Sequence, residues 1–134
     1  MGFTVERLND TEPIVVFTYS SKLTLDVFKD AIVENTRFIE EIGEPIYIIA
    51  DVRELESTFL DMLHIMEEAG KDDDGSANDK NIKMLILVGS SSFIKMYRNT
   101  MQKRGAAFGI TIFQDVETAI DTARINMTYS EEES

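Results

Sequence analysis

Cysteine is absent from the 134 residues, so the chain has neither disulfides nor thiolate metal sites. That absence leaves the compartment open, because many cytosolic proteins also lack cysteine. Histidine occurs once, as His64, which leaves imidazole chemistry a single candidate. Long apolar runs are missing too. The longest, Ile46–Ala50 and Met84–Val88, are five residues each, whereas a membrane helix needs about 20. The N-terminal stretch Met1-Gly2-Phe3-Thr4-Val5-Glu6 lacks the basic start and apolar core of a secretory signal, so the cytoplasm is the expected location. Basic residues are scarce as well: 13 Lys and Arg face 25 Asp and Glu, for a net charge of −12. A surface of that sign repels nucleic-acid phosphates and anionic lipid. Neither nucleic acid nor membrane is an expected partner, while a basic protein surface remains compatible.

What is present fits a globular domain. Hydrophobic residues make up 43% of the chain and charged residues 28%, which argues against disorder. A chain of this length buries roughly two thirds of its unfolded surface as one domain. Phe3–Leu8 alternates as a half-buried strand, and Ile14–Tyr19 is rich in β-branched and aromatic residues. Asn9–Pro13 between them is turn-forming, so the pair predicts an antiparallel hairpin. Leu25, Phe28, Ile32, Ile39 and Ile42 recur at helical spacing, with Thr24 to cap the start and Gly43 to end it before Pro45. Pro45–Asp51 reads as a central strand covered on both faces.

A second helix is expected from Ser57 or Thr58 to Ala69, with Met62, Ile65, Met66 and Ala69 on its sheet-facing side. The polar segment from Lys71 to Asn81 follows as a loop. Ile82–Val88 predicts a buried strand, and Gly89-Ser90-Ser91-Ser92 leads into a helix ending near Gly105. Ala107–Phe113 is the fifth strand, and Asp115 caps the last helix. The expected architecture is therefore a single α/β domain over residues 1–127, of order β-β-α-β-α-β-α-β-α. It has a mostly parallel five-stranded sheet, an antiparallel N-terminal edge strand and four helices. Residues 128–134 are expected to form a disordered acidic tail.

This order resembles the STAS-type domain, the fold of the SpoIIAA-like anti-sigma factor antagonists. The resemblance rests on Ile48–Arg53, on Met84–Gly89 leading into Ser90–Arg104, and on Gly109–Phe113 followed by Asp115–Ile120. It implies a regulatory, non-catalytic domain that binds a kinase-like or sigma-regulatory protein and is open to homodimer formation. It also implies that a hydroxyl opening the second helix is phosphorylated by the partner. Ser57 and Thr58 occupy that place here, although the family's Asp-Ser-Ser/Thr-Gly turn is absent: Glu56 precedes Ser57, and Phe59 follows Thr58.

The candidate residues also have plainer readings. Ser57 and Thr58 serve equally as helix caps, worth about 1 kcal/mol. A phosphate there gains from the helix N-terminus and Arg53 but meets Glu54, Glu56 and Asp61. Asp51 and Arg53 stand at the carboxyl end of a central strand, where ligands bind in open α/β sheets; the simpler reading is an exposed loop ion pair. Gly89, Ser90 and Ser91 could cradle an anion, but they lack the Walker ending and the Gly-x-Gly-x-x-Gly spacing, so a cap is simpler. Asp72-Asp73-Asp74 places its acids consecutively, out of EF-hand register. His64, with Asp61 and Glu68 at helical spacing, reads as a surface ion pair. No catalytic centre, cofactor or metal is expected. Binding of a small anion, nucleotide or lipid at Asp51 and Gly89 is the alternative to a protein partner.

Overall fold

The computed structural model describes residues 3–56, 60–62, 64, 65, 68, 82–96 and 111–133. Strand β1 (Phe3–Arg7) pairs antiparallel with β2 (Ile14–Ser21), followed by helix α1 (Leu25–Ile42) and strand β3 (Ile46–Leu55). Helical residues at 60–62, 64, 65 and 68 belong to α2, and strand β4 is Ile82–Val88. Residues 91–96 are helical (α3), and strand β5 (Thr111–Phe113) leads to helix α4 (Val116–Glu133). The strands lie in sequence order, β1-β2-β3-β4-β5, and every pairing after the first is parallel. The α/β architecture read from the sequence is thus the one observed.

The ends of α1 have local causes. The Thr24 hydroxyl accepts the Val27 N–H at 3.2 Å, satisfying one of the first-turn donors. Gly43 adopts φ 76°, a left-handed conformation that a Cβ disfavours, and its N–H closes on the Ile39 carbonyl at 3.0 Å. Strand β3 then pairs on both sides, so it lies inside the sheet. Residues Ile46 to Val52 are all buried.

Side chains alternate across the sheet, so each strand serves two cores. On one face Phe3, Val15, Phe17, Ile46 and Ile48 pack against Ala31 and Phe38 of α1. The same face continues as Ala50, Val52 and Leu87, which meet Met62 of α2 and Phe93 of α3. Ile65 packs there too, as its helical spacing with Met62 predicts; Met66 and Ala69 lie outside the described residues. On the opposite face Ile14, Tyr47, Ile49, Ile86 and Val88 pack against Ala119 and Ala123 of α4. One side therefore has three helices and the other has α4 alone.

Two boundaries differ from expectation, and a third cannot be compared. β3 continues four residues past Asp51, to Leu55, because β2 resumes pairing with it at Ser20↔Glu54 and Ser21↔Leu55. The described part of β5 starts at Thr111, and residues 97–110, which include the expected start of that strand, lie outside the described residues. The second difference is a correction: residues 128–133 are the last turns of α4 and not a disordered tail. The helix persists because the turn before them is tethered. Asn126 accepts the Tyr47 hydroxyl at 2.7 Å, and Met127 packs into the core under α4.

The two-sided burial of β3 sets an expectation for stability. Ile49 is fully enclosed, whereas Val33 on α1 is 66% exposed. Ile49→Ala should cost about 2–5 kcal/mol in urea unfolding, and Val33→Ala less than about 0.5 kcal/mol.

Candidate functional site

β2 and β3 fall out of step at their carboxyl ends. Thr18 pairs with Asp51 and Ser20 with Glu54, so β2 advances two residues while β3 advances three. The additional residue makes a β-bulge, a device that re-aims side chains at the edge of a site. The Asp51 carboxylate holds it. Its Oδ1 accepts the Arg53 backbone N–H at 3.1 Å and Nε–H at 3.0 Å, and its Oδ2 accepts Nη2–H at 2.8 Å. One carboxylate thus fixes both the backbone and the side chain of the residue two positions on.

Asp51 is the one charged residue buried among those described. Burial by itself pushes its carboxyl pKa up, but the side-chain and backbone bonds from Arg53, with that residue's charge, outweigh it and hold the pKa below the ordinary value. Arg53 is correspondingly held protonated, by its bonds to Asp51 and by the fields of Glu54 and Asp115. Its guanidinium stays about half exposed, with the Asp51 carboxylate beneath it. Asp115 sits in the turn between β5 and α4. Bonds from the Thr118 N–H at 2.7 Å and the Thr118 hydroxyl at 2.8 Å lower its pKa despite some desolvation, and Arg53 adds to the effect.

Thr18, Asp51, Arg53 and Glu54 line an open cleft of about 490 Å³. It lies on the α4 side of the sheet, beyond the part that α4 covers, because Asp51 shares its face with Tyr47 and Ile49. The expected pairing of Asp51 with Arg53 is therefore present, but its setting differs from expectation. Asp51 is a buried strand residue at a bulge and not part of an exposed loop. Thr18 joins the site through strand register alone, and Asp115 approaches through the order of the strands. Neither had a local signal in the sequence beyond the capping role of Asp115.

Gly89, Ser90 and Ser91 follow Val88, the strand partner of Asp51, but do not line the cleft. The Gly89 N–H donates to the Phe113 carbonyl at 2.9 Å, so it is not free to hold an anion. The Ser90 hydroxyl accepts the Phe93 N–H at 3.2 Å and the Ser90 carbonyl accepts the Ile94 N–H at 2.9 Å, a capped helix start. Ser91 Oγ accepts Gln114 Nε2–H at 3.4 Å. A Cβ on Gly89 would come within 2.8 Å of the Phe93 ring, so glycine here permits close helix–strand packing. These bonds support the capping reading of the segment. Ser57, Thr58 and the Asp72–Asp74 segment lie outside the described residues. His64 is exposed on α2. Among the described residues no group of three or more potential ligands is placed to hold a metal ion, and no helix is long and apolar enough to cross a membrane.

The depressed Asp51 pKa carries a pH expectation. A carboxylate with a lowered folded pKa adds stability above its unfolded value of about 3.9 and loses it as pH falls through the folded value. Stability should be flat in this respect between neutral pH and about pH 5, then decline toward pH 2 as Asp51 takes up its proton. Asp51→Ala should cost about 1–3 kcal/mol at pH 7 and should show a shallower acid slope in urea titrations, with Asp115 and Glu12 supplying what slope remains.

No protein-family model and no curated protein sequence matches this chain. Among solved structures it is similar to an uncharacterized protein of the DUF3478 family with a SpoIIAA-like fold from Shewanella loihica PV-4. The two are 18% identical, the match covers 89% of this chain and 90% of that one, and the TM-score is 0.58. At that identity the likeness is one of fold, and the chain has a SpoIIAA-like fold.

Proposed function

We propose that this protein is a non-enzymatic regulatory module that binds another protein in the cytoplasm, through the carboxyl-end surface formed by Thr18, Asp51, Arg53 and Glu54. The observation that carries this reading is the condition of Asp51. A general acid or base at neutral pH needs a pKa near the working pH. Asp51, the buried carboxylate of the cleft, is displaced the other way and gives its lone pairs to Arg53. The group is built to stay charged and still, which suits recognition better than proton transfer. The SpoIIAA-like fold adds an analogy with anti-sigma factor antagonists, and analogy of fold is not evidence of activity.

In those antagonists a phosphate at the start of the second helix controls partner binding, and Ser57 and Thr58 are the acceptors proposed here. Each follows closely on Arg53, Glu54 and Glu56 in the chain. By analogy with those antagonists, a phosphate at that edge would release the partner through its bulk and the cost of stripping its hydration at the contact, not through charge, since the basic partner that Glu54 suits is attracted by negative charge. A second reading, small-ligand binding in the same cleft, has its volume in its favour: about 490 Å³ lies within the usual range for small-molecule sites, roughly 300–1,000 Å³.

The test is affinity capture from the source cell's lysate, followed by mass spectrometry and titration of the purified partner. Glu54 is exposed at the rim of the cleft, and Glu40 is exposed on α1, well away in sequence and on the other side of the sheet. Glu54→Lys should weaken the partner at least about tenfold, the scale of one well-placed interface charge, whereas Glu40→Lys should leave it unchanged. Ser57→Asp/Thr58→Asp should mimic release. Equal binding by all variants removes this surface from the interface. A small molecule that raises the melting temperature of the isolated protein by mass action, with no protein captured, favours the second reading.

A further inference from the structure

Among the described residues no strand pairs with β1 on the side away from β2. In an antiparallel pair the residues alternate between those bonded inward and those whose N–H and C=O point away. The Leu8 N–H donates to the Ile14 carbonyl at 2.9 Å, and the register then places Thr4 opposite Thr18 and Glu6 opposite Val16 as the other inward-bonded pairs. Phe3, Val5 and Arg7 are left with backbone groups directed outward. Exposed edges are commonly blunted by a bulge, a proline or a lysine. β1 has no proline, lysine or bulge, its register with β2 is unbroken, and its two charges, Glu6 and Arg7, are of opposite sign.

We propose that this edge pairs with β1 of a second copy of the chain, antiparallel about a two-fold axis through Val5, to make one continuous ten-stranded sheet. A two-fold interface must be self-complementary, and this register is. Phe3 faces Arg7 of the copy, Val5 faces Val5, and Thr4 faces Glu6, so that a hydroxyl meets a carboxylate and no like charges stand opposite. Three facing pairs with outward backbone groups supply about six inter-chain N–H···O=C bonds. A slide of two residues one way sets Glu6 against Glu6 of the copy, and the other way gives up one of the three pairs. Thr4 and Glu6 are both exposed on the α4 side of the sheet, beyond the part that α4 covers, so neither is committed to the core. Opposing the association is the net charge of −12 on each copy. Long-range repulsion of that kind is screened within about 8 Å at physiological ionic strength, so the dimer forms more readily as salt rises.

Sedimentation equilibrium of the full chain across protein and salt concentration tests this. The wild type should show a monomer–dimer equilibrium that shifts toward dimer with added salt. Thr4→Lys, which puts a cation opposite Glu6 twice per dimer, should tighten it roughly fivefold at low salt, and Thr4→Glu should weaken it by a similar factor. Thr4 is exposed, and unchanged circular dichroism and melting temperature establish that both variants fold. A wild type that stays monomeric at every concentration and salt overturns the proposal. So does a dimer indifferent to both substitutions, which would place the contact elsewhere, with the exposed Ile125 and Tyr129 of α4 as the next surface to vary.

Discussion

Strand β3 must satisfy two cores at once, and the rest of the molecule is arranged around that requirement. Ile48 and Ala50 face the side covered by α1, α2 and α3, while Tyr47 and Ile49 face α4. A strand in that position has no solvent side on which to place a polar residue without desolvating it. Its run from Ile46 to Val52 therefore admits a single charge, Asp51, and admits it only because Arg53 supplies the bonds that burial removes. The neighbouring strands share the constraint in weaker form. Val15 and Phe17 in β2 belong to one core and Ile14 to the other.

The bulge follows from the same place. Once Asp51 is buried next to Thr18, its carboxylate must find donors close at hand, and the nearest are the N–H and guanidinium of the residue two ahead. Taking them lets β3 gain a residue on β2. Arg53 is thereby aimed into a cleft instead of along the strand. The exposed guanidinium is bordered by Glu54 and Asp115, so the surface is polar and mixed in sign but on balance acidic, in keeping with the whole chain. The pair is buried at Asp51 and about half exposed at Arg53, and breaking it would leave a buried carboxylate without its donors. That cost makes Asp51 and Arg53 a fixed feature of the surface and not a mobile one.

Unequal coverage of the two sheet faces exposes this region. α4 is held by specific polar contacts as well as by its apolar stripe. Arg124 forms a two-pronged pair with Glu12 of the β1–β2 loop, both contacts at 2.9 Å, and Asn126 accepts from Tyr47. The loop itself is ordered by the Asn9 side chain, which accepts the N–H groups of Thr11 and Glu12. These contacts place α4 over the strand starts and the sheet centre. They leave Thr4, Glu6, Thr18 and Arg53 in the open, on the part of that face where the sequence is polar.

Local chemistry in the sequence settled much of this fold. The apolar runs of β3 and β4, the Thr24 and Gly43 caps of α1, the Asp115 cap of α4 and the β1–β2 hairpin are all legible there, because each depends on residues within a few positions of one another. The alternation of strands and helices after the hairpin likewise implied parallel pairing. What depends on partners distant in sequence was not legible. Asp51 read as an exposed loop acid because its burial is decided by how far β2 runs alongside β3. Thr18 had no signal at all, since only inter-strand register brings it opposite Asp51. The acidic end of α4 read as disorder by composition, and tertiary contacts at Asn126 and Met127 keep it helical. Sequence determined which segments form strands and helices through short-range sterics and periodic apolar patterning; tertiary structure alone decided which polar side chains meet, because register and helix placement are set by packing across the whole sheet.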